Sequence, residues 1–354
     1  MTTAQIDQVK TEQFIGRLLG DLGGAFSIGP VRMGKSLGLY AALRDHGPLT
    51  SAQLAGRTGL AERYLREWLS HQAASGYVDY DPSTGKFTLT PEQAAVLADE
   101  DSPTYLADAF DAAAAYIENQ PMVEAAFRTG GGVGWGNQTG CLFCVVARFF
   151  RPGYVANIVD HWLPALDGVV EKLQRGARVA DVGCGYGYST TIMAKAFPNS
   201  EFVGFDFHGP SIDEAARHAI EHGVGNVRFA TGTAKDFNGG PYDLVTCFDC
   251  LHDMGDPVGA STHIRQSLRP DGTWMIVEPF AHDTLEENCN PVGRLYYAAS
   301  TLVCVPASLD QEVGAALGAQ AGERRLREVV LAGGFGRFRR ATETPFNLIL
   351  EARP

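Results

Sequence analysis

The chain has 354 residues, 45% hydrophobic and 20% charged, a length that predicts two domains rather than one core. Its formal charge of −12 disfavours a protein living on nucleic-acid phosphates or anionic lipid, so neither nucleic acid nor membrane is expected as a partner. No apolar run is expected to approach the length of a membrane span, and the polar start MTTAQIDQVKTEQF has no signal-peptide core, which makes the cytoplasm the expected location.

Residues 12–46 read as two helices separated near Ser27 to Pro30, the second closing at Gly47-Pro48. Between them GPVRMGKS, Gly29 to Ser36, fits the P-loop pattern G-x-x-x-x-G-K-[ST]. A working P-loop follows a buried strand, and LGGAFSI is too short and glycine-rich for one. The stretch is expected to be helical, with Lys35 solvated and no ATP site. Ser51 is the expected N-cap of the next helix, and Tyr64, Leu65, Trp68 and Leu69 mark a longer one that ends at Gly76. YVDYD and KFTLT flank a Pro-Ser-Thr-Gly turn, a hairpin signal. Helix, turn, helix and hairpin together predict a winged helix. Its would-be recognition helix offers Arg63 and Arg66, offset by Glu62 and Glu67.

Residues 103–172 read as mostly helical, broken at Thr129–Asn137. From Arg178 apolar strands alternate with amphipathic helices, predicting a parallel, doubly wound α/β sheet. Residues 284–320 interrupt it, and FRRATET and FNLILEAR close it. The expected domains are residues 1–102, 103–172 and 173–354. The seven cysteines favour free thiols over a disulfide framework, and Cys141/Cys144 with Cys247/Cys250 are weighed as zinc ligands and set aside, so no metal is expected.

The chemistry concentrates in VADVGCGYGYS, which follows a strand and opens a helix. Gly183, Gly185 and Gly187 lack the G-x-G-x-x-G spacing of a dinucleotide site, which disfavours an NAD enzyme. Asp181 would repel a pyrophosphate but not a ligand carrying an ammonium group. This D-x-G-x-G-x-G loop resembles that of class I S-adenosylmethionine-dependent methyltransferases. The resemblance implies a Rossmann-like seven-stranded domain behind the winged helix, and S-adenosylmethionine as cofactor. It implies that the glycines admit the methionine part while Asp181 helps hold its amino group. It also puts Asp206, followed by Phe207, on the ribose, Asp236 and Phe237 at the adenine, and Phe248 and Asp249 along the crevice.

DCLHDMGDP, residues 249–257, resembles the HD-x-x-D segment of two-domain O-methyltransferases of the plant phenolic type and their bacterial relatives. That likeness implies His252 as general base, oriented by Glu278, with Gln320 near the place of the group's second acid. It implies a small-molecule hydroxyl acceptor and an N-terminal domain that forms a homodimer. The helical connector, as a cap, and the insertion would then supply the acceptor's lining, nominating Phe110, Tyr116, Trp135, Phe150, Tyr154, Tyr296 and Tyr297. A transcriptional regulator that binds S-adenosylmethionine is the rival reading.

Overall fold

In the computed structural model, which describes residues 6–139 and 141–354, the first helix does not stop where expected. Helix α1 runs unbroken from Gln8 to Ser36 with Pro30 inside it, and the break falls at Gly38. Proline supplies no N–H to the carbonyl one turn earlier, and the helix nonetheless continues; the Pro30 carbonyl accepts from Trp68 Nε1 at 2.8 Å. A Cβ at Gly34 would meet the Trp68 ring at 2.6 Å. The glycine of the P-loop lookalike is thus a close helix–helix contact. Lys35 is paired with Asp108 and Asp111, the latter at 2.9 Å, and is not the solvated side chain expected.

The chain divides into two units, one ending at Ala114 and one beginning at Ala115. In the first, α1 is followed by α2 (Leu39–His46), α3 (Ser51–Thr58), α4 (Glu62–Ala74), a hairpin of β1 (Asp79–Asp81) and β2 (Lys86–Thr88), and α5 (Pro91–Leu97). This is the winged helix. Helix α3 is capped by Thr50, one residue before the expected Ser51, because Gln53 closes a capping box with it. Leu39, Tyr40, Leu43, Leu54, Leu65 and Leu69 fill the core, whereas Tyr64 is exposed. Phe110 packs against this core beside Tyr77. Along α1, Phe14, Ile15, Leu18, Leu19, Leu22 and Phe26 are exposed.

Helix α6 (Ala107–Glu118) leads into the second unit, where α7 (Gln120–Thr129), α8 (Leu142–Asn157) and α9 (Val169–Arg175) precede the sheet. Then come β3 (Arg178–Val182), α10 (Tyr188–Ala196), β4 (Glu201–Asp206), α11 (Gly209–Glu221), β5 (Val227–Thr231), β6 (Tyr242–Phe248), α12 (Pro257–Ser267) and β7 (Leu268–Pro279). The insertion holds α13 (Leu285–Asn288), α14 (Pro291–Ala299) and α15 (Val305–Leu309), and α16 (Gly322–Ala332), β8 (Arg337–Glu343) and β9 (Asn347–Arg353) finish the domain.

The seven strands lie in the order β5-β4-β3-β6-β7-β9-β8, parallel except for the pairings of β9. Ala180, Val182, Val203, Val245 and Ile276 are buried in their shared core, so the strands read as apolar runs. The order reverses between β3 and β6, and the crevice at their C-terminal ends is the place where such sheets bind ligands.

Two expectations are corrected. The helical stretch Leu142–Ala165 is, by length and composition alone, long and apolar enough to cross a membrane. Its Tyr154, Ile158, Trp162 and Leu163 instead pack into the core beside the sheet. Cys141 and Cys144 are joined in a disulfide, so they are neither free thiols nor half of a four-thiolate site; the other five cysteines are free.

Candidate active site

The loop after β3 is shaped by its glycines. Gly183, Gly185 and Gly187 have φ of +76°, +51° and +71°, a region that side chains disfavour. A Cβ would meet Cys250 Sγ at 2.7 Å from Gly183, and the Phe229 ring at 2.6 Å from Gly187. The loop is pinned to β4 by the Gly183 and Cys184 amides, which donate to the Phe205 carbonyl at 2.8 and 3.0 Å.

Asp206, buried at the end of β4, accepts from the amides of Gly185 and His208, both at 2.9 Å. It joins the glycine loop to the next turn, and burial pushes its carboxyl up despite those bonds. Asp181 lies beneath the loop. Ser189, Thr190 and Thr246 donate hydroxyls to it at 2.7, 2.6 and 2.9 Å. Three of a carboxylate's roughly four acceptor positions are thereby used. Asp181 braces β3, α10 and β6, and burial pushes it up as well.

Beside Asp206 opens a cleft of about 390 Å³ lined by Phe205, Phe207, Thr231, Asp236, Phe237 and Asn238. Asp236 is exposed. One of its oxygens accepts from the Thr233 hydroxyl and amide at 2.8 and 2.7 Å, which holds its carboxyl low. The other oxygen has no hydrogen bond among the described residues. The Phe237 amide already donates to the Thr233 carbonyl at 3.1 Å. On the other flank, Trp135 packs against Phe143, which stacks on His208 at 4.2 Å. Trp135 therefore lies toward the Asp206 end, not among the acids below.

At the end of β6 the environment changes. Phe248 packs between Tyr154 and Trp162. Asp249 has φ +50°, rare outside glycine and a mark of local strain. Its oxygens accept from Tyr154 at 2.8 Å and Asn347 at 2.9 Å. Burial, and then the nearby Glu278 carboxylate, push it up to about 7. Phe150 stacks on Tyr154 at 5.8 Å.

His252 sits on the following turn and is 4% exposed. Its Nδ1 is 2.6 Å from Glu278 Oε2, and Glu278 Oε1 accepts from the Leu251 amide at 2.9 Å. Its Nε2 lies 3.2 Å from Asp253 Oδ1. Burial opposes a charge on the ring, but the carboxylates of Asp253 and Glu278 overcome it and raise the imidazole well above its ordinary value. Asp253 is thus a second acid beside the imidazole, one that the sequence did not single out. The Gln320 carboxamide instead donates to the carbonyls of Phe280 and Ala319, both at 3.0 Å. Cys304, from the insertion, completes a group in which His252, Asp253 and Cys304 hold one potential ligand atom each within 4.8 Å.

The insertion grips this turn. Gln311 donates to the Asp253 carbonyl at 2.8 Å and accepts from the Gly255 amide at 3.0 Å. Ala315 donates to the Gly255 carbonyl at 2.8 Å, and Ser308 to that of Met254 at 2.9 Å. Of the remaining nominees, Tyr116 is placed near Cys304, Asp253 and Asp249, whose charges act on it. Tyr296 donates to the Phe346 carbonyl at 2.9 Å, Tyr297 is 36% exposed, and Phe110 belongs to the first unit's core.

Residues 173–321 match a methyltransferase domain family, and residues 27–99 match the Rv2258c-like winged HTH domain. The ubiquinone biosynthesis O-methyltransferase of Actinobacillus pleuropneumoniae serotype 7 (strain AP76) is 33% identical over 132 residues, 35% of this chain and 53% of that protein. The chain spans about half the length of the curated relatives it matches.

Among solved structures, mitomycin 7-O-methyltransferase MmcR superposes with a TM-score of 0.70 at 19% identity, covering 98% of this chain and 99% of that one. Human N-acetylserotonin methyltransferase in complex with S-adenosylmethionine gives 0.68 at 19% identity, covering 100% and 99%. At that identity both likenesses speak for the fold alone. The chain thus carries a methyltransferase domain behind a Rv2258c-like winged HTH domain, and the methyltransferase domain presents a glycine cradle that a Cβ would fill.

Proposed function

We propose that the protein transfers the methyl group of S-adenosylmethionine to a hydroxyl of a small molecule. The observation that carries this reading is the His252–Glu278 pair, at 2.6 Å, on the turn that follows β6. A hydroxyl must lose its proton to attack a methyl carbon, and a braced imidazole beside a carboxylate is proton-handling machinery. S-adenosylmethionine, when bound, supplies the electrophilic methyl. The chain's own residues hold and orient. The backbone at Gly183, Gly185 and Gly187 receives the methionine part, with Asp181 beneath it. Asp206 and Phe207 take the ribose, and Asp236 and Phe237 the adenine. Phe248 and Asp249 border the path to the acceptor. Phe150 and Tyr154 are its foremost lining candidates, with Trp135 and Tyr297 as outer ones.

In the same reading, residues 1–102 form a dimerisation domain, residues 103–172 a cap, and residues 173–354 the catalytic domain. The exposed apolar residues of α1 support a homodimer, since a row of such side chains on one helix favours a partner that covers it. A cytoplasmic location belongs to the same reading, with five cysteines free although Cys141 and Cys144 form a disulfide. The regulator reading loses support because Arg63 pairs with Glu67 at 2.6 Å and Arg66 with Glu62 at 2.7 Å, on the same helix. Turnover of S-adenosylmethionine against a panel of phenols tests the proposal. Methylation of one of them supports it; specific DNA binding without any methylation would replace it with the regulator.

A further inference from the structure

Cys141 and Cys144 form the one disulfide among the described residues. In the cytoplasm, where the reading above puts the chain, thiols are kept reduced, and a bridge there is usually transient or redox-sensing. This one is poorly suited to stapling the fold. Its two cysteines are only 3 residues apart, and short loops gain least from being closed.

Its position suits exchange instead. Cys141 is exposed and stands at the N-cap of α8, and Cys144 lies in the first turn, with their Cα atoms 5.4 Å apart. No side chain caps this end of the helix. The amides of the first turn and the positive end of the helix dipole therefore remain to stabilise a thiolate, which is the reactive form of cysteine. A Cys-X-X-Cys pair so placed can both open and close.

The residue between the two cysteines reaches the cofactor end of the crevice. Phe143 stacks on His208 at 4.2 Å, and Trp135 meets its ring edge-on at 5.5 Å. The His208 amide donates to Asp206, whose other oxygen accepts from the Gly185 amide, both at 2.9 Å. The bridge thus sits next to a chain of contacts that ends in the glycine loop. Phe143, Phe150 and Tyr154 also recur at helical spacing on one face of α8, and Tyr154 donates to Asp249 at 2.8 Å.

We infer that Cys141 and Cys144 are a reversible thiol–disulfide exchange site, addressed by small thiols of the glutathione type, whose closed state tightens the hold on the cofactor. Opening consumes two thiol molecules. The first attacks the exposed Cys141 sulfur as its thiolate, the Cys141–Cys144 bond breaks, and the electron pair goes to the Cys144 sulfur. The second attacks the outer sulfur of the mixed disulfide, displaces the Cys141 sulfur and leaves as the small-molecule disulfide. The two protons given up by the thiols end on Cys141 and Cys144. Closing is the reverse, with the small-molecule disulfide as oxidant. Once open, an uncapped first turn frays, Phe143 leaves His208, and the turn that carries Asp206 loses its support.

The full chain, equilibrated in reduced or in oxidised glutathione, tests this. Alkylation and mass spectrometry count the thiols, and calorimetry measures S-adenosylhomocysteine affinity. The bridge is expected to open in the reduced buffer and close in the oxidised one. The closed form should bind about fivefold tighter or more, and by linkage S-adenosylhomocysteine should favour closure by the same factor. Cys141→Ser with Cys144→Ser should bind like the open form in both buffers. Phe143→Ala should keep the bridge and lose most of the difference.

A bridge that stays closed in reduced glutathione would be a staple, and the inference would fall. Affinities within about twofold of each other would sink the coupling. A redox response that survives in the double serine variant would move the site to another of the five cysteines. None of these readouts involves a methyl acceptor, so the hydroxyl-methylation reading stands or falls separately.

Discussion

Asp236 follows β5 and Asp249 follows β6, and both open onto the same edge of the sheet. Asp236 is exposed, and the Thr233 amide and hydroxyl hold its carboxyl low. Asp249 is enclosed by Tyr154, Asn347 and neighbouring acids, and its carboxyl rises to about 7. Under the proposed function, one residue type would then serve as a fixed anion at the adenosine end and as a titrating group at the acceptor end. Solvent and turn amides make the difference, not distance along the chain. Under the proposed function, the cofactor end of the crevice would serve recognition, and the acceptor end would move protons.

Removing the centre of the acceptor end should give the largest effect. His252→Ala should lower turnover by about a hundred- to ten-thousand-fold and leave S-adenosylhomocysteine affinity nearly unchanged by calorimetry. A matching loss of affinity would mean that the two ends are not separable.

The next effect is in stability. A carboxyl whose folded value lies above its unfolded one stabilises the fold at low pH. That stability is lost as pH rises through the folded value. Asp249 goes from 3.8 to about 7, so its contribution should vanish between about pH 4 and pH 7. Asp249→Asn should therefore gain on the unaltered protein by about 2–4 kcal/mol across that window, measured by urea unfolding without cofactor. A constant difference would show that Asp249 does not titrate there.

At the other end, Asp206→Ala should weaken cofactor binding by roughly 1.5–3 kcal/mol, the worth of hydrogen bonds to a charged group. Unchanged affinity would remove Asp206 from the ribose contact. The smallest effect is expected for Asp236→Ala. Being exposed, it should cost less than about tenfold in affinity and leave the pH profile of turnover unmoved.

The sheet was legible because its strands are buried on both faces and read as apolar runs, RVADV and YDLVTCF among them. The cofactor end was legible for a related reason, since its glycines and acids sit at strand ends in fixed order. Local exceptions were harder. Pro30 is an ordinary break signal, and no local pattern shows that α1 continues through it, with its carbonyl meeting the Trp68 indole 38 residues on. Thr50 was overlooked although Gln53 stood three residues later, which is the capping-box spacing.

The acceptor end was half legible. His252 and Glu278 follow the strand pattern. Asp253 did not stand out because adjacent side chains usually diverge, and it takes the tight turn at Leu251–Asp253 to aim both at one spot. Cys304 arrives from the insertion with no spacing to announce it. The stacking of Phe143 on His208, which draws Trp135 to the cofactor end, joins segments that no local pattern relates.

The grip of the insertion on the His252 turn bears on how such an enzyme could diversify. Gln311, Ser308 and Ala315 bond directly to the backbone of Asp253, Met254 and Gly255. A segment exchanged to admit a differently shaped acceptor would also re-aim the groups that handle its proton. New acceptor scope, whether by natural drift or by loop grafting, is then obtained most readily from α8, through Phe150 and its neighbours, with residues 307–316 retained as part of the catalytic frame.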